Sequence, residues 1–389
     1  MNIDSRQLAK SVQDFVCEYR QDIHKHPELS MKEFRTTDRI CEELDKMGVS
    51  YRRMKPTGVL AEIKGGKGEG KTVMLRGDID ALPVTEETGL PFSSEYDHVM
   101  HSCGHDTHNA MLMGAIKAIN SIKDEFAGTV KFIFQPAEET GEGAQAMIAD
   151  GCLEGVDYAY GIHINSVNPV GTIRTCPGPM QASAFWFKIR IKGVSSHGAD
   201  PVHGKDPITA AAAVISGLQD LVAREYDPFE PVVVTVGDLH ADGRFNIIPA
   251  EARMEGTIRT FSREINSHLK DDLDRIVKGI AGAYRCDAEV ELIDVCEVNE
   301  NDPEAFEIGR KAIDKIGANF MMATKTMGGE DFAYYTPHVK ACFFSLGANM
   351  PDKDGKTWPM HNGHVLFDEA AFEYGVALYI QAAMDTLAL

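Results

Sequence analysis

The chain lacks an excess of basic residues and lacks long apolar runs. Its 39 lysines and arginines are outnumbered by 59 aspartates and glutamates, which gives a formal net charge of −20. Nucleic acids and anionic membranes bind basic surfaces, so neither is expected as a partner. No apolar run reaches the roughly 18 residues typical of a transmembrane helix. The N-terminal "MNIDSRQLAK" has neither the basic nor the apolar region of a signal peptide, and a cytoplasmic protein is therefore expected.

The eight cysteines lack any regular spacing. In a chain of 389 residues this distribution does not indicate a disulfide framework, and most of the cysteines are expected to be buried and reduced. Cys103 differs because it lies among three histidines in "HSCGHDTH" (101–108), directly before an apolar helical pattern. Taken alone, this stretch is compatible with a metal site, a nucleophilic Cys–His pair or a histidine-rich helix start.

The chain also lacks internal repeats and low-complexity tracts, and its length favours two domains. Apolar periodicity predicts helices at 5–25, 36–47, 105–122, 206–225, 263–284, 303–316 and 369–387, and strands at 72–76, 129–134, 158–164, 185–193, 231–237, 252–261, 288–295 and 342–348. Asp206 is the expected N-cap of its helix.

The order of these elements predicts the fold class. Residues 1–181 and 296–389 alternate between helices and strands, which indicates an α/β catalytic domain with a mixed sheet and helices on both faces. Residues 182–295 have the order β-α-β-β-α-β of a ferredoxin-like α+β unit. We therefore predict a discontinuous catalytic domain with an inserted lid domain.

Chemically versatile side chains follow several of the predicted strands. Asp78 and Asp80 follow strand 72–76, and the adjacent Glu138 and Glu139 follow strand 129–134. One of two adjacent carboxylates can bind a metal ion while the other acts as a general base. An isolated DxD or EE pair, however, is more often solvated surface charge.

Histidines extend this pattern further along the chain. His163 lies in an apolar strand, and His361 and His364 lie in the loop before the last helix. Each of them alone is more simply explained as a core or surface histidine. Consecutive parallel strands, however, bring their C-terminal ends to one edge of a sheet. Together the side chains offer N, O and S ligands for two divalent ions, with one carboxylate left as a base, which is typical of two-metal hydrolysis.

Several motifs resemble those of the M20 metallopeptidase family. They are "RGDIDALP" (76–83), "HSCGHD" (101–106), "QPAEE" (135–139), "GIHI" (161–164), "SSHGADP" (195–201) and "GGEDFAYY" (328–335). The resemblance covers essentially the whole chain and lies within the subgroup of aminoacylases, hippurate hydrolases and auxin-conjugate amidohydrolases. In that subgroup the lid domain often mediates dimers, so a homodimer or tetramer through residues 182–295 is expected.

The resemblance implies a role for each matching residue. Glu138 would be the general base, and Asp80 the carboxylate that orients a ligand imidazole. His197 would reach the scissile carbonyl oxygen, while Asn246 and Arg259 would hold the substrate. His101 and His108 would support the ligands or the helix start. The implied metal ligands are Cys103, His105, Glu139, His163 and His361.

One departure concerns the last motif. Gly363 stands where the family usually has proline, and we expect this glycine to loosen the loop and to leave His364 as an alternative last ligand. Mixed S, N and O ligation suits Zn²⁺, and Mn²⁺, Co²⁺ and Ni²⁺ are further candidates.

The expected activity is hydrolysis of the amide bond of N-acyl amino acids. The alternatives are a dipeptidase, an aminopeptidase or another deacetylase that uses the same two-metal centre. A non-catalytic metal-binding or sensor protein is a further alternative, against which the presence of Glu138 argues.

Overall fold

The computed structural model describes residues 3–389 and divides into two compact units. The first comprises the chain up to Met180, Glu300–Thr324 and Asp331–Leu389, and the second comprises Gln181–Asn299 and Lys325–Glu330. In the second unit the carbonyl of Thr326 accepts the Ala182 N–H (3.1 Å), which joins segment 325–330 to the start of the unit. None of the helices within residues 3–389 combines the length and apolarity that crossing a bilayer requires.

The helices are α1 (Ser5–Ser11), α2 (Gln13–Lys25), α3 (Phe34–Met47), α4 (His105–Ser121), α5 (Gly143–Ala149), α6 (Pro207–Arg224), α7 (Arg263–Ala283), α8 (Pro303–Lys315) and α9 (Phe372–Leu387). The strands are β1 (Ser50–Arg53), β2 (Val59–Lys64), β3 (Thr72–Asp78), β4 (Thr129–Gln135), β5 (Tyr158–Asn165), β6 (Thr172–Thr175), β7 (Gly178–Gln181), β8 (Ser183–Lys192), β9 (Ser196–His197), β10 (Val232–His240), β11 (Ile247–Ile248), β12 (Glu251–Thr260), β13 (Asp287–Cys296), β14 (Asn299–Asn301), β15 (Asn319–Met322) and β16 (Lys340–Gly347).

The first unit is built on an eight-stranded sheet with the order β1-β2-β4-β3-β5-β16-β6-β15. Strands β4, β3, β5 and β16 are mutually parallel, whereas β2 and β6 run antiparallel to their neighbours in this central group. The carboxyl ends of β3, β4 and β5 therefore lie at one edge. This mixed sheet confirms the predicted fold class of the catalytic domain.

Alternate side chains along a strand pack into different cores on the two faces of this sheet. In β4, Phe132 and Phe134 belong to the larger core with helices α1–α4, α8 and α9, whereas Ile133 packs on the opposite face with α5. In β16, Phe344 and Phe343 divide in the same way. Successive side chains of a strand point to opposite faces, so a strand buried on both sides is apolar over most of its length.

The first predicted helix differs from the structure. Instead of one helix over 5–25, the chain forms α1 and α2 on either side of Val12. Val12 has φ −114° and ψ 2°, and its N–H bonds to the carbonyl of Ala9 rather than to the residue four positions earlier. The helical ladder is interrupted there, although the apolar face continues.

The second unit contains a four-stranded antiparallel sheet with the order β10-β12-β8-β13. Helices α6 and α7 cover one face of this sheet, in the ferredoxin-like arrangement that its sequence predicts. The carboxylate of Asp206 accepts the N–H groups of Ile208 and Thr209, which confirms it as the N-cap of α6.

Candidate metal centre

Asp80 organises the loop that carries Glu138 and Glu139. It lies two residues beyond β3 and is buried, and its Oδ1 and Oδ2 accept the N–H groups of Glu138 and Glu139, respectively, both at 3.1 Å. Ser30 Oγ–H also donates to its Oδ2 (2.7 Å). One buried carboxylate thus holds two consecutive peptide groups of the "QPAEE" loop in place.

Asp80 also orients His105, the first residue of α4. The Nδ1 of His105 lies 3.1 Å from Asp80 Oδ1. Its Nε2 therefore faces Glu138 Oε2 (3.8 Å) and Glu139 Oε1 (3.9 Å). Burial alone would raise the pKa of Asp80, but its hydrogen bond with His105 lowers that pKa below the usual range, so the orienting group stays ionised.

Cys103 lies at the centre of the cluster. Its Sγ is 3.4 Å from His163 Nε2 and 3.2 Å from His361 Nε2, and His361 Nε2 is 3.5 Å from Glu139 Oε1. The ligand atoms form overlapping groups within 4.8 Å: Cys103, His105 and His163; Cys103, Glu139 and His361; and His105, Glu138 and Glu139. Cys103, His105 and Glu139 each belong to two of these groups.

The chain makes a close approach where Cys103 enters α4. Gly104 has φ +88°, and a Cβ at this position would come within 2.4 Å of the Ile164 Cγ2 atom. A residue with a side chain would force α4 and β5 apart. The glycine of "SCGH" therefore brings Cys103 and His105 next to the strand that carries His163.

Two buried polar atoms of the cluster make no hydrogen bond within residues 3–389. They are His105 Nε2 and Glu139 Oε1, and both are ligand atoms in the groups described above. A buried polar atom without a partner costs roughly 1–3 kcal/mol. A cation coordinated by both atoms would remove this cost, so the donor set fits a metal ion.

The charges of the cluster support the same conclusion. Burial raises the pKa of Glu139 to about 7 and holds the pKa of the Cys103 thiol well above its usual range. Burial alone would lower the pKa of His105, but Asp78 and Cys103 raise it well above its usual range. The site thus disfavours additional negative charge and favours positive charge. Thiolate, imidazole and carboxylate together suit borderline divalent ions.

The two histidines of the last motif lie in different places. His361 has φ +63°, its N–H bonds to the Ser102 carbonyl (2.9 Å), and its ring reaches Cys103. Burial, together with His105 and His163, lowers the pKa of His361, which favours the neutral ring that a ligand needs. His364 instead pairs with Glu87, with Nε2 at 2.8 Å from Oε2.

The prediction that Gly363 loosens its loop is wrong. A Cβ at this position would lie 2.3 Å from the Thr85 carbonyl oxygen, and the Gly363 carbonyl accepts the Glu87 N–H (2.8 Å). The glycine therefore allows close packing against segment 85–87 and does not loosen the loop.

Three supporting residues were missed by sequence reasoning. Glu33 is fully buried and accepts the Ala137 N–H through Oε1 (2.9 Å) and the Thr57 hydroxyl through Oε2 (2.6 Å). It holds the loop just before Glu138, where Ala137 has φ +51°. The others, Arg76 and Asp331, form a buried ion pair (2.6 Å). In the sequence, the only signal for such residues is the motif that contains them, such as "RGDIDALP" for Arg76 and "GGEDFAYY" for Asp331.

The remaining predicted residues belong to the second unit. His197 lies on β9 opposite Ile247 of β11, and the carbonyl of Asn246 accepts the Gly198 N–H (2.8 Å), so His197 and Asn246 are neighbours. The His197 Nδ1 accepts the Ala199 N–H (3.0 Å), so in the neutral ring Nε2 carries the proton. Arg259 lies on β12, between Ala184 of β8 and Val233 of β10.

Comparisons with known proteins identify the family of the chain. Residues 74–385 match the peptidase family M20/M25/M40. The chain is 37% identical over 381 residues to thermostable carboxypeptidase 1 of Saccharolobus solfataricus, covering 97% of this chain and 96% of the relative. It is 37% identical over 370 residues to N-acetylcysteine deacetylase of Bacillus subtilis, covering 95% and 96%.

A solved structure extends the comparison to the fold. The YXEP protein of Bacillus subtilis, described as a dinuclear metal-binding peptidase of the M20 family, superposes with a TM-score of 0.86 at 35% identity, covering 97% of this chain and 99% of that one. The resemblance found in the sequence motifs is confirmed. The chain belongs to the M20/M25/M40 peptidase family and is a hydrolase of amide bonds with clustered candidate ligands for metal ions.

Proposed function

We propose that the chain hydrolyses the amide bond of N-acyl amino acids to a carboxylic acid and a free amino acid. The observation that carries the proposal is the cluster of five ligand-type side chains beside a sixth, Glu138, that can serve as a base. The deacetylase relative is named for an N-acyl amino acid substrate, and its identity to this chain extends over nearly all of both sequences.

The proposed ligands are Cys103, His105, Glu139, His163 and His361, which supply S, N and O donors for two divalent ions. When bound there, these ions would supply positive charge that polarises the substrate carbonyl and acidifies a water molecule. We propose Zn²⁺ or Mn²⁺ as the resident ion, with Co²⁺ and Ni²⁺ as the next candidates.

Glu138 is the proposed general base and acid. Its peptide N–H is held by Asp80, and its side chain is 11% exposed at the edge of the cluster. Its carboxylate would accept a proton from the attacking water and pass that proton to the leaving amine nitrogen, so that one group serves both steps. Asp80 would keep the His105 imidazole oriented throughout.

The second unit would supply substrate recognition. His197, with its Nε2–H available as a donor, is proposed to stabilise the negative charge that develops on the carbonyl oxygen. Arg259 is proposed to pair with the free carboxylate of the amino acid, for which its planar guanidinium is suited, and Asn246 to assist in holding the substrate.

A second candidate function is supported by the carboxypeptidase relative. A carboxypeptidase also cleaves an amide whose amine side carries a free carboxylate. An N-acyl amino acid and a peptide C-terminus therefore share the chemistry that the proposed site would recognise. Dipeptidase and aminopeptidase activities differ because they require a free amino group on the acyl side.

A substrate panel on metal-stripped protein tests these assignments. N-acetyl and N-benzoyl amino acids, N-blocked dipeptides and free dipeptides are each offered with Zn²⁺, Mn²⁺, Co²⁺ or Ni²⁺ added back. Turnover of the N-acyl amino acids is expected. Faster turnover of N-blocked dipeptides would favour a carboxypeptidase. Cleavage restricted to free dipeptides would favour a dipeptidase or an aminopeptidase. Turnover of none of these substrates would refute the proposal.

Several further assignments stay predictions. We propose self-association of the chain to a dimer or tetramer through the second unit, which light scattering on purified protein measures. We also propose a cytoplasmic location and a small-molecule substrate, with neither nucleic acid nor membrane as a partner.

A further inference from the structure

His108 is a buried histidine that the proposed chemistry does not use. It lies in the first turn of α4, three residues after His105, and is completely buried. Both of its ring nitrogens have partners. Nδ1 lies 2.5 Å from Asp78 Oδ1, and Nε2 lies 2.7 Å from the backbone nitrogen of Ile164.

These partners determine which ring nitrogen carries the proton. The Ile164 N–H can only donate, so His108 Nε2 must accept this bond and cannot carry a proton. In the neutral ring the proton is then on Nδ1 and is donated to Asp78. Both nitrogens of His108 are thus engaged within the protein, and neither is available to bind a metal ion.

Ile164 connects His108 to a proposed ligand. The carbonyl of Ile164 accepts the Nδ1–H of His163 (2.6 Å), which leaves His163 Nε2 directed at Cys103 Sγ (3.4 Å). The N–H and the C=O of one residue therefore bond to two different imidazoles. Displacement of Ile164 would move the acceptor that sets the orientation of the His163 ring.

Asp78 is itself held rigidly. Its Oδ2 accepts a bond from Arg76 Nη1 (2.6 Å), and Arg76 Nη2 donates to Asp331 Oδ1 (2.6 Å). Gln135 Nε2 in turn donates to both oxygens of Asp331 (2.8 and 2.7 Å). Since Arg76, Asp78 and Asp331 are all buried, His108 is anchored to a network whose members are held by several hydrogen bonds each.

We propose that His108, anchored by Asp78, is a positioning residue that fixes Ile164 and thereby orients the His163 imidazole for metal binding. The proposal rests on the assignment of His163 as a ligand in the proposed function. It extends that assignment to a residue that touches neither metal nor substrate. Groups that orient a metal ligand typically contribute about 10–100-fold in metal affinity.

Two substitutions separate the two bonds of His108. In His108→Gln the amide oxygen reaches the place of Nε2 and can accept the Ile164 N–H, but the donor to Asp78 is lost. In His108→Asn the amide nitrogen takes the place of Nδ1 and can donate to Asp78, but nothing accepts the Ile164 N–H. His338→Gln is the control, because His338 is an exposed histidine of the same unit.

The measurement is the affinity of metal-stripped protein for Co²⁺, followed by its absorption spectrum in competition with a chelator. We expect His108→Asn to bind Co²⁺ about 10–100-fold more weakly than the unsubstituted protein, and His108→Gln, which keeps the bond to Ile164 but loses the anchor at Asp78, to be weakened less. Equal weakening by both substitutions, no weakening by either, or greater weakening by His108→Gln would overturn the proposal. Failure of the unsubstituted protein to bind Co²⁺ would instead refute the metal centre itself.

A second measurement covers the case in which a variant does not fold. Nitrogen-15 NMR of the histidine rings in metal-free, unsubstituted protein reports the protonated nitrogen of each ring. We expect His108 to be neutral with its proton on Nδ1. A proton on Nε2 would overturn the proposal, since that ring could not accept the Ile164 N–H.

Discussion

The two units of the chain bury charged groups to very different extents. In the first unit, Arg76, Asp78, Asp80 and His105 are almost inaccessible to solvent and lie around the candidate metal centre. In the second unit the core between sheet and helices is apolar, and ion pairs such as Lys192–Glu289 lie on exposed side chains.

The difference shows where the chain accepts a free-energy cost for function. A buried charge costs several kcal/mol unless it is paired, so a network of buried charges persists only where each member has partners. The first unit meets this condition through bonds among its own residues. The second unit has an ordinary core, and we expect its contribution to be made by side chains that lie outside this core.

The largest effect is expected for the proposed base in the first unit. Glu138→Gln should lower kcat by about 10²–10⁴-fold because the amide can neither accept nor return the proton. Co²⁺ binding should persist, since Glu138 is not a proposed ligand. Glu142→Gln, an exposed residue of the same loop, should leave kcat unchanged. Near-normal turnover by Glu138→Gln would contradict the assignment of Glu138 as the general base.

Arg76→Met breaks the buried network directly. It leaves Asp78 and Asp331 without their shared cation, and we expect the free energy of unfolding of the first unit to fall by about 3–5 kcal/mol. The matched change in the second unit, Lys192→Met, should cost about 1 kcal/mol or less because its pair is exposed.

Urea unfolding can report the two units separately. The chain has two tryptophans, with Trp358 in the first unit and Trp186 in the second, so replacing either one by phenylalanine leaves a reporter for the other unit. Similar losses for Arg76→Met and Lys192→Met would contradict the difference between the units.

Metal removal should affect the first unit alone. A ligand present at 100 times its dissociation constant stabilises the folded state by about 2.7 kcal/mol. Chelation should therefore lower the unfolding midpoint reported by Trp358 and leave the midpoint reported by Trp186 unchanged. Equal shifts at both reporters would show that the units unfold together.

Arg259→Ala tests the proposed role of the second unit in binding the substrate. Hydrogen bonds to charged groups contribute about 1.5–3 kcal/mol, so KM for N-acyl amino acids should rise about 10–100-fold. The rise should be much smaller for amidated substrates, which lack the carboxylate. Arg253→Ala, on the same strand, is the control. An equal effect on both substrate classes would remove the proposed pairing.

The smallest effect concerns the pH dependence of the first unit. Burial raises the pKa of Glu33 from its ordinary value of 4.5 to about 7, so the folded state holds the proton more tightly than the unfolded state does. The stability of the metal-free protein should therefore fall as the pH rises from about 4.5 to 7.

Glu33→Gln, which stays neutral, should become more stable relative to the unsubstituted protein by about 1–3 kcal/mol between pH 5 and pH 8. The exposed Glu255→Gln of the second unit should show no such trend. Thermal unfolding at the two pH values checks the difference, and parallel curves for Glu33→Gln and the unsubstituted protein would contradict it.

Most of the elements, and the clustering of the ligand-type side chains, could be predicted because they depend on local patterns. The strands before Asp80 and Glu138 are buried on both faces, and parallel strands bring their ends together. The network behind the site could not be predicted in this way. Arg76 and Asp331 are separated by 255 positions, and no periodicity links them.

The sequence by itself determined the fold class, the order of most of the elements and the ligand-type side chains that the structure brings into one cluster, because apolar periodicity and short motifs are local properties. Only the tertiary structure showed that His361 lies against Cys103 while His364 pairs with Glu87, because these contacts depend on a left-handed backbone at His361 and on the position of Glu87. The proposed role of His108 likewise rests on the tertiary structure alone. A histidine in a motif can serve as a ligand or as a support, and only the partners of its two ring nitrogens distinguish these roles.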